Sequence, residues 1–185
     1  ALQIEADAEL DVISEFYDND GSLTFVGSGG LLRLRGPITD DNSELGTSFT
    51  PAQGTVCYCD DAAQTVFTKI DATTAFSYYN LSIDNFTAAV ATVEAGTTLD
   101  VDNHFRIMDQ DASFTSTSGT MTVGGNFECQ GTFTHNSGTV TLDGTGSIVG
   151  SRDANYDTVF NVLNIDTTGT VTVDGDFSVA STFTI

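Results

Sequence analysis

The sequence predicts an all-β chain, and among all-β folds it favours a right-handed parallel β-solenoid, or β-helix. Three observations lead there: an internal repeat of about 84 residues, short stretches in which Thr alternates with larger apolar residues, and a strong preference for Asp over Glu. Asp suits turns because its short carboxylate bonds to nearby backbone N–H groups, whereas Glu favours helices. The chain is therefore expected to be rich in turns and poor in helix.

The repeat covers almost all of the 185 residues. Four pairs of segments match in order along the chain: 49–56 (FTPAQGTV) with 133–140 (FTHNSGTV), 78–83 (YYNLSI) with 160–165 (FNVLNI), 96–107 with 169–179, and 4–12 with 93–101. The gaps between the matches differ only by loop-sized amounts, which a stacked repeat tolerates. We therefore predict a single solenoid domain over 1–185, with repeat units at about 1–88 and 89–165 and a partial unit at 166–185.

Within each unit the residues alternate as they do in a strand with one buried face. Thr alternates with Met, Val, Leu or Phe, as in GTMTV at 119–123 and GTVTV at 169–173. In a solenoid each coil stacks on the one before, so equivalent positions meet the same neighbours and come to resemble each other. An antiparallel β-sandwich and a stack of β-arches are the alternatives. Successive strands of a sandwich have different neighbours, however, so their sequences need not resemble each other.

The solenoid interpretation makes specific predictions about coils and stacking. At about 20 to 28 residues per coil, the chain makes about seven to nine coils. The repeat alignment places Phe105, Phe127 and Phe177 in equivalent positions, so we expect their rings to stack. For the same reason we expect Leu81 to stack with Leu163.

The charge balance excludes several classes of partner. The net charge is −21, and Lys69 is the one lysine among five basic residues. Such a surface repels nucleic acid, so no nucleic-acid partner is expected. No apolar run approaches the roughly 18 residues of a membrane helix, so no membrane insertion is expected.

The three cysteines are Cys57, Cys59 and Cys129, an odd number that leaves at least one thiol free or paired between molecules. On a strand, Cys57 and Cys59 point to the same side about 6.6 Å apart, near the upper limit for a disulfide with each other. They are interpreted as small buried side chains or, alternatively, as partners of Cys129 or of a neighbouring subunit in a disulfide. Metal binding is less favoured, because His104 and His135 are remote in sequence.

Two sequons, at Asn80 and Asn85, are candidate glycosylation sites if the protein is secreted. Asn80 aligns with Val162 in the second unit, so no repeat position requires it. Asn85 lies in a stretch that the second unit shortens, which makes it the better candidate.

The strongest candidate for catalysis is the stretch LDVDNHFRIMDQD at 99–111. On one continuous strand, Asp100, Asp102, His104 and Arg106 would share a face, as a polysaccharide lyase requires of its acids and base. The apolar residues of the stretch change parity in the middle, which predicts a turn near Asp102–Asn103. The matching stretch at 169–179 has no His or Arg, so we predict that the chain is not an enzyme and has no catalytic residues.

No cofactor is predicted for this chain. Calcium is the alternative, bound at short acidic turns that match neither a calcium-roll repeat nor an EF-hand loop. These turns are Asp40–Asp41, Asp60–Asp61 and Asp109–Asp111. Solvated turn residues explain the same pattern.

Several strings together resemble a known type of protein. TFTHNSGTVTLDGTGSIVG, VFNVLNIDTTGTVTVDGDFSV and YYNLSI are similar to the repeats of secreted β-helical proteins of prokaryotic cell surfaces, the filamentous-haemagglutinin-like and adhesin-like repeats. The resemblance implies a secreted, cell-surface location and a structural or adhesive role. The chain departs from that pattern at STFTI, where it stops in mid-strand with no polar cap.

These observations predict a structural extracellular protein that assembles head to tail, as a homo-oligomer, into a filament, fibre or cell sheath. An adhesin segment that binds a surface or glycan is the alternative, with Tyr78–Tyr79 and residues 84–93 as its candidate patch. A polysaccharide lyase-like enzyme is the least favoured of the three.

Overall fold

The structure is a computed structural model, and it describes residues 2–13, 22–36, 48–69, 74–86, 89–150 and 158–185. Over these residues the chain is all-β and forms a solenoid of about seven turns. Neighbouring strands are parallel throughout the described sheets, and one isolated antiparallel bridge joins Lys69 to Ala75. The predicted parallel β-solenoid is confirmed, and the antiparallel sandwich alternative is wrong.

The described strands form four sheets, which line three faces of the coil in a fixed order; we name these the first, second and third faces. The first face consists of two sheets, a three-stranded one at the start of the chain and a six-stranded one after it. The strands of the first face are β1 (Leu2–Ile4), β3 (Ser22–Phe25), β5 (Ser48–Thr50), β8 (Ser77–Tyr78), β11 (Thr98–Val101), β14 (Thr120–Val123), β17 (Thr139–Leu142), β19 (Thr158–Ile165) and β21 (Phe177–Thr184). Those of the second face are β2 (Glu9–Val12), β4 (Ser28–Leu34), β6 (Gln53–Tyr58), β9 (Asn80–Ile83), β12 (Phe105–Ile107), β15 (Phe127–Cys129), β18 (Gly146–Val149) and β20 (Val171–Asp174). The third face has β7 (Gln64–Val66), β10 (Val90–Val93), β13 (Ser113–Thr115) and β16 (Thr132–Thr134).

The two longest strands cross a corner. The second part of β19 pairs with β17 on the first face, while the ring of Phe160 in its first part packs on Phe133 of the third face at 5.6 Å. β21 follows the same path beside β19, with a register shift after Phe160. Each of these strands therefore contributes to the third face first and to the first face afterwards.

Coil length varies while the strands stay in register. The number of residues between register partners gives the length of one coil. The coil from Met121 to Val140 is shorter than the coil from Gln64 to Ala91, and both are close to the predicted coil length. The larger insertions fall in the connections between faces, because a lasting slip of one residue within a strand would turn its apolar side chains outward. Single-residue register shifts occur within strands at two places, after Ser28 in the pairing of β4 with β6 and after Phe160 in the pairing of β19 with β21.

The core is built from the inward-pointing half of each strand. In β14 the side chains of Met121 and Val123 are buried, whereas Thr120 and Thr122 are half-exposed. Phenylalanine rings fill the middle of the rod, with neighbouring centroids 4.9 to 6.1 Å apart. These rings belong to Phe105, Phe114, Phe127, Phe133 and Phe160.

The predicted aromatic stack is correct for two of its three members. Phe105 and Phe127 are register partners, and their centroids are 5.1 Å apart. Phe177 is instead the register partner of Thr158, and its ring packs on Phe160 at 5.7 Å. The prediction that Phe177 joins the other two rings is therefore wrong.

The leucine prediction is also wrong, and the reason applies to the whole repeat. Leu81 lies on the second face, whereas Leu163 lies on the first. The matched segments 49–56 and 133–140 differ in the same way: the former turns from the first face to the second, the latter from the third to the first. The sequence match therefore relates strand–turn–strand corners at different positions around the rod.

A closed set of hydrogen bonds lies inside the rod where β7 ends. The hydroxyl of Tyr58 bonds to that of Tyr78 at 2.8 Å, the Tyr78 hydroxyl donates to the carbonyl of Phe67 at 2.8 Å, and the Phe67 N–H donates to the Tyr58 oxygen at 3.0 Å. Burial raises the pKa of both phenols, so they remain neutral at ordinary pH. The two tyrosines thereby satisfy both backbone groups of Phe67 at a point where its strand has ended.

Replacing Phe127 by Ala should lower the free energy of unfolding by about 3 to 5 kcal/mol, because it removes a fully buried ring and leaves a cavity. Urea denaturation of the purified chain measures the loss. Phe86→Ala is the control, since this side chain is 48% exposed, and it should change stability by about 0.5 kcal/mol or less. Equal losses in the two variants would contradict the assignment of the core.

Replacing Tyr78 by Phe should cost about 1 to 3 kcal/mol, because the buried carbonyl of Phe67 loses its donor. The half-buried neighbour Tyr79 lies outside this set of bonds, so Tyr79→Phe should leave the urea midpoint nearly unchanged. If both variants have the wild-type midpoint, the closed set of bonds does not stabilise the rod.

Candidate functional site

Two thiols and two arginines meet on the outside of the second face. Arg33 of β4 is the register partner of Cys57 of β6. The Cys59 N–H donates to the carbonyl of Leu34 at 3.0 Å, which continues the register and places Cys59 beside Arg35. We call these four residues, with Asp84 on the other side of Cys59, the thiol patch.

The local sequence explains why both thiols are on the outside. Tyr58 is fully buried in the core, so Cys57 and Cys59, on either side of it, point to the opposite side of the strand. The Asp84 N–H donates to the carbonyl of Tyr58 at 2.9 Å, which brings Asp84 next to Cys59. Although they face outward, the cysteines are only 5% and 3% exposed, so their sulfur atoms are held among their neighbours.

Hydrogen bonding and charge distinguish the two thiols. A hydrogen bond to Cys59 and burial both raise the pKa of Cys57. The same hydrogen bond lowers the pKa of Cys59, with further lowering by the positive charges of Arg33 and Arg35, against the effect of burial. Cys59 is therefore the residue that becomes a thiolate first. While it is protonated, its Sγ donates to the backbone carbonyl of Cys57 at 3.7 Å.

The two arginines are held from the preceding coil. Arg33 Nε lies 2.6 Å from Glu9 Oε1, and Arg35 Nε lies 3.1 Å from Asp11 Oδ1. Each guanidinium thus has a carboxylate in the coil on one side and a thiol in the coil on the other. The planar fork of arginine has enough N–H groups to serve both partners.

A cavity of about 250 Å³ opens beside the patch. Its wall combines a thiol, a thioether, a cation and a carboxylate, contributed by Cys57, Met108, Arg33 and Asp84. Burial raises the pKa of Asp84, and Arg33 partly opposes that effect. The cavity gives a small ligand or ion a route to Cys57 from solvent.

The predicted turn at Asp102–Asn103 is present, and it separates the residues weighed for catalysis. Asp100 lies on the first face and accepts a hydrogen bond from Thr122, whereas Arg106 lies on the second face with its Nε 3.1 Å from Glu128. The structure therefore does not bring these side chains together as a catalytic group.

His104 has a structural role at this corner. Its Nδ1 accepts the N–H of Asn126 at 3.1 Å, and burial lowers its pKa, so the ring is neutral. His135 serves similarly in a turn, where its Nδ1 accepts the N–H of Ser137 at 2.9 Å.

The acidic turns bond mainly to their own backbone. Asp60 accepts the N–H of Asp61 at 2.8 Å, and Asp109 accepts that of Asp111 at 3.2 Å. Within the described ranges, no group of three or more His, Cys, Asp or Glu side chains is placed to hold a metal ion. The pair Asp40–Asp41 lies outside the described residues.

All three cysteines are free and buried in the structure. Cys129 points into the core as the register partner of Ile107, and its sulfur donates to the Gly131 carbonyl at 3.3 Å. Cys57 and Cys59 are on the outer side of the same face, so an internal disulfide from either one to Cys129 is not compatible with this fold. The expectation of such an internal link is corrected, and the link between subunits stays a prediction.

Both candidate glycosylation residues are engaged at corners. Asn85 is 1% exposed, and its amide donates to the carbonyls of Ala89 and Ser113 at 2.8 and 2.9 Å. Asn80 accepts from the Asn103 amide at 3.0 Å, as one step in a ladder of polar side chains between coils. In the folded chain, a glycan on Asn85 would take the place of one of the two amide hydrogens and so break one of these donor bonds.

Sequence reasoning missed the arginines and Asp84 as neighbours of the thiols. A signal was present: LRLR at 32–35 and VCYC at 56–59 share one alternating pattern and lie one coil apart. LSID at 81–84 and FRIM at 105–108 continue it. Aligning neighbouring coils, in place of the distant repeat, would have found the patch.

Comparison with models of protein families, with curated proteins and with solved structures finds no match to this chain. In the part of the chain that the structure describes, there is no helix of the length and apolar character needed to cross a membrane.

Cys59 should react with iodoacetamide at lower pH than an ordinary thiol, because the reactive species is the thiolate and its pKa is lowered. Replacing both Arg33 and Arg35 by Gln should move the labelling profile to higher pH, since two stabilising charges are lost. Mass spectrometry of peptides after timed labelling gives the profile for each cysteine. Arg106→Gln is the matched control and should leave the Cys59 profile in place, and an unchanged profile in the double variant would contradict the role of the two arginines.

Proposed function

We propose that this chain is a structural component of an extracellular or cell-surface fibre, and that copies of it stack end to end. The observation that carries the proposal is the apolar surface of the last coil. Val173 and Phe183 are 55% and 52% exposed, although their register partners in the preceding coil, Ile148 and Leu163, are 1% and 0% exposed. A further coil laid on this end would bury them to the same degree.

The backbone at the same end supports stacking. β20 and β21 are edge strands, each with a partner on one side only. Unpaired N–H and C=O groups on such an edge are a template for another strand. A continuation of the chain and a second copy would each supply that strand, and the proposal concerns the second copy.

The opposite end of the rod offers a different surface. β1 and β2 are edge strands at that end, and Leu2 is 43% exposed there. Contact between two unlike ends is heterologous, and it produces an open filament when the rotation does not close. Parallel pairing across the junction would repeat the pairing that already exists between coils.

The acidic surface sets the conditions for such assembly. With a net charge of −21, copies repel one another at low ionic strength. Salt screens this repulsion, with a Debye length of about 10 Å at 0.1 M. The same charge keeps an assembled fibre hydrated, which suits a cell-surface location.

The adhesin alternative has less support. Of the two tyrosines in its candidate patch, Tyr78 is 0% exposed, so its ring is not available to a ligand. Residues 87–88 of the same patch lie outside the described residues.

The experiment compares two variants of the last coil that change the charge equally. Phe183→Asp places a carboxylate on the apolar end surface, whereas Thr184→Asp places it on the exposed neighbouring residue. The wild-type chain and Thr184→Asp should form rods that lengthen with concentration and with salt, and Phe183→Asp should remain monomeric. Sedimentation velocity measures the size, and negative-stain images show whether particles join at their ends.

A wild-type chain that stays monomeric at high concentration and high salt would overturn the proposal. Side-by-side clusters in the images, or equal assembly of Phe183→Asp and wild type, would also overturn it. Circular dichroism of both variants checks that each retains the β-fold.

A further inference from the structure

We propose that the thiol patch binds one soft metal ion of the Cu(I) type, held between the sulfur atoms of Cys57 and Cys59. This site is independent of end-to-end assembly, because it lies on the side of the rod, in its third coil. The inference rests on the position of the two sulfur atoms, on their charged neighbours and on the adjoining cavity.

The two sulfur atoms lie on the same outer side of one extended segment, within reach of a single ion. Cys57 and Cys59 are two residues apart, and the Cys59 Sγ lies 3.7 Å from the backbone carbonyl oxygen of Cys57. A bridging ion would replace both thiol protons, including the one that Cys59 directs at this carbonyl. Strand β6 is paired on both sides, with β4 and β9, and the Cys59 N–H bonds to the carbonyl of Leu34, so the backbone that spaces the two side chains is fixed before an ion arrives.

The donor set indicates the class of ion. Thiolates are soft ligands that select Cu(I) over hard ions such as Mg²⁺ and Ca²⁺. Zn²⁺ takes thiolates too, but its protein sites have four ligands, or three and a water. A pair of thiolates suits an ion that is satisfied by two ligands, and Cu(I) is such an ion.

The charge of the complex is accommodated by the patch. Binding of Cu⁺ to two thiols releases two protons to solvent and leaves a bis-thiolate complex with one negative charge. Arg33 and Arg35 lie beside the two sulfurs, and their positive charges offset that of the complex. Their ion pairs with Glu9 and Asp11 keep both guanidinium groups in place.

The cavity supplies an entry path. Cys57 is part of its wall, together with Met108 and Ser82. An ion that entered the cavity would meet the Cys57 sulfur first and the buried Cys59 sulfur next. The thioether of Met108 offers a weak soft ligand along that path.

The test is an anaerobic titration of the full chain with Cu(I), with bicinchoninate as a competing chelator of known affinity. The wild-type chain should take one Cu(I) from the chelator, and X-ray absorption of the complex should show two sulfur ligands. Replacing Cys57 or Cys59 by Ser should abolish this binding. Cys129→Ser, which removes a thiol from the inner side of the same face, should retain it.

A second pair of variants examines the surroundings of the sulfurs. Arg35→Gln should weaken Cu(I) binding by about tenfold or more, as is usual for groups that support metal ligands. Arg106→Gln, on the same face but two coils beyond β6, should have the wild-type affinity. Urea midpoints of all variants establish that each is folded under the conditions of the titration.

Three results would overturn the proposal. One is a wild-type chain that leaves the chelator fully loaded. Another is a Cys57→Ser, Cys59→Ser double variant that still binds one Cu(I). The third is an absorption spectrum dominated by nitrogen or oxygen ligands. Since none of these measurements depends on assembly, their failure would leave the end-stacking proposal untouched.

Discussion

The pairing of every strand with the strand one coil away is the constraint on which this structure depends. It fixes the register, so that a side chain on a strand paired on both sides lies directly between two others of known identity. Inside the rod this produces columns of apolar residues, such as Leu81, Phe105 and Phe127 on the second face. Outside, it decides which polar groups meet, and Arg33 lies beside Cys57 for this reason alone.

The sequence is informative about what is inside and where the chain turns. Alternation in TMTV and TVTL correctly identified the buried residues of β14 and β17, and the change of parity at Asp102–Asn103 correctly identified a corner. Neither the alternation nor the parity change indicates which face of the rod a strand occupies. A corner needs the same turn residues and the same alternation wherever it lies around the rod, so Leu81 and Leu163 look equivalent although their faces differ.

The candidate site shows the same division between local and non-local information. That Cys57 and Cys59 share a side of one strand follows from their spacing alone, and it was predicted. Their neighbours depend on coil length, which differs from one coil to the next because the connections between faces differ in length. Until those connections are placed, the residue one coil away from Cys59 cannot be distinguished from residues slightly nearer or farther along the chain. Arg35 and Asp84 were not anticipated for this reason.

Stacking also explains where a chain with so few cations places them. Like charges directly opposite one another on adjacent strands are destabilising, and in a solenoid that repulsion recurs at every coil. Three carboxylates on the second face are paired with arginines of an adjacent coil: Glu9 and Asp11 with Arg33 and Arg35 of the next coil, and Glu128 with Arg106 of the preceding one. Cys57 and Cys59 flank Arg33 and Arg35 on the side away from Glu9. A thiol at these positions can remain neutral, so it adds no permanent charge next to the carboxylates of β2 and the arginines of β4. It can also ionise, because two guanidinium groups beside it stabilise the thiolate.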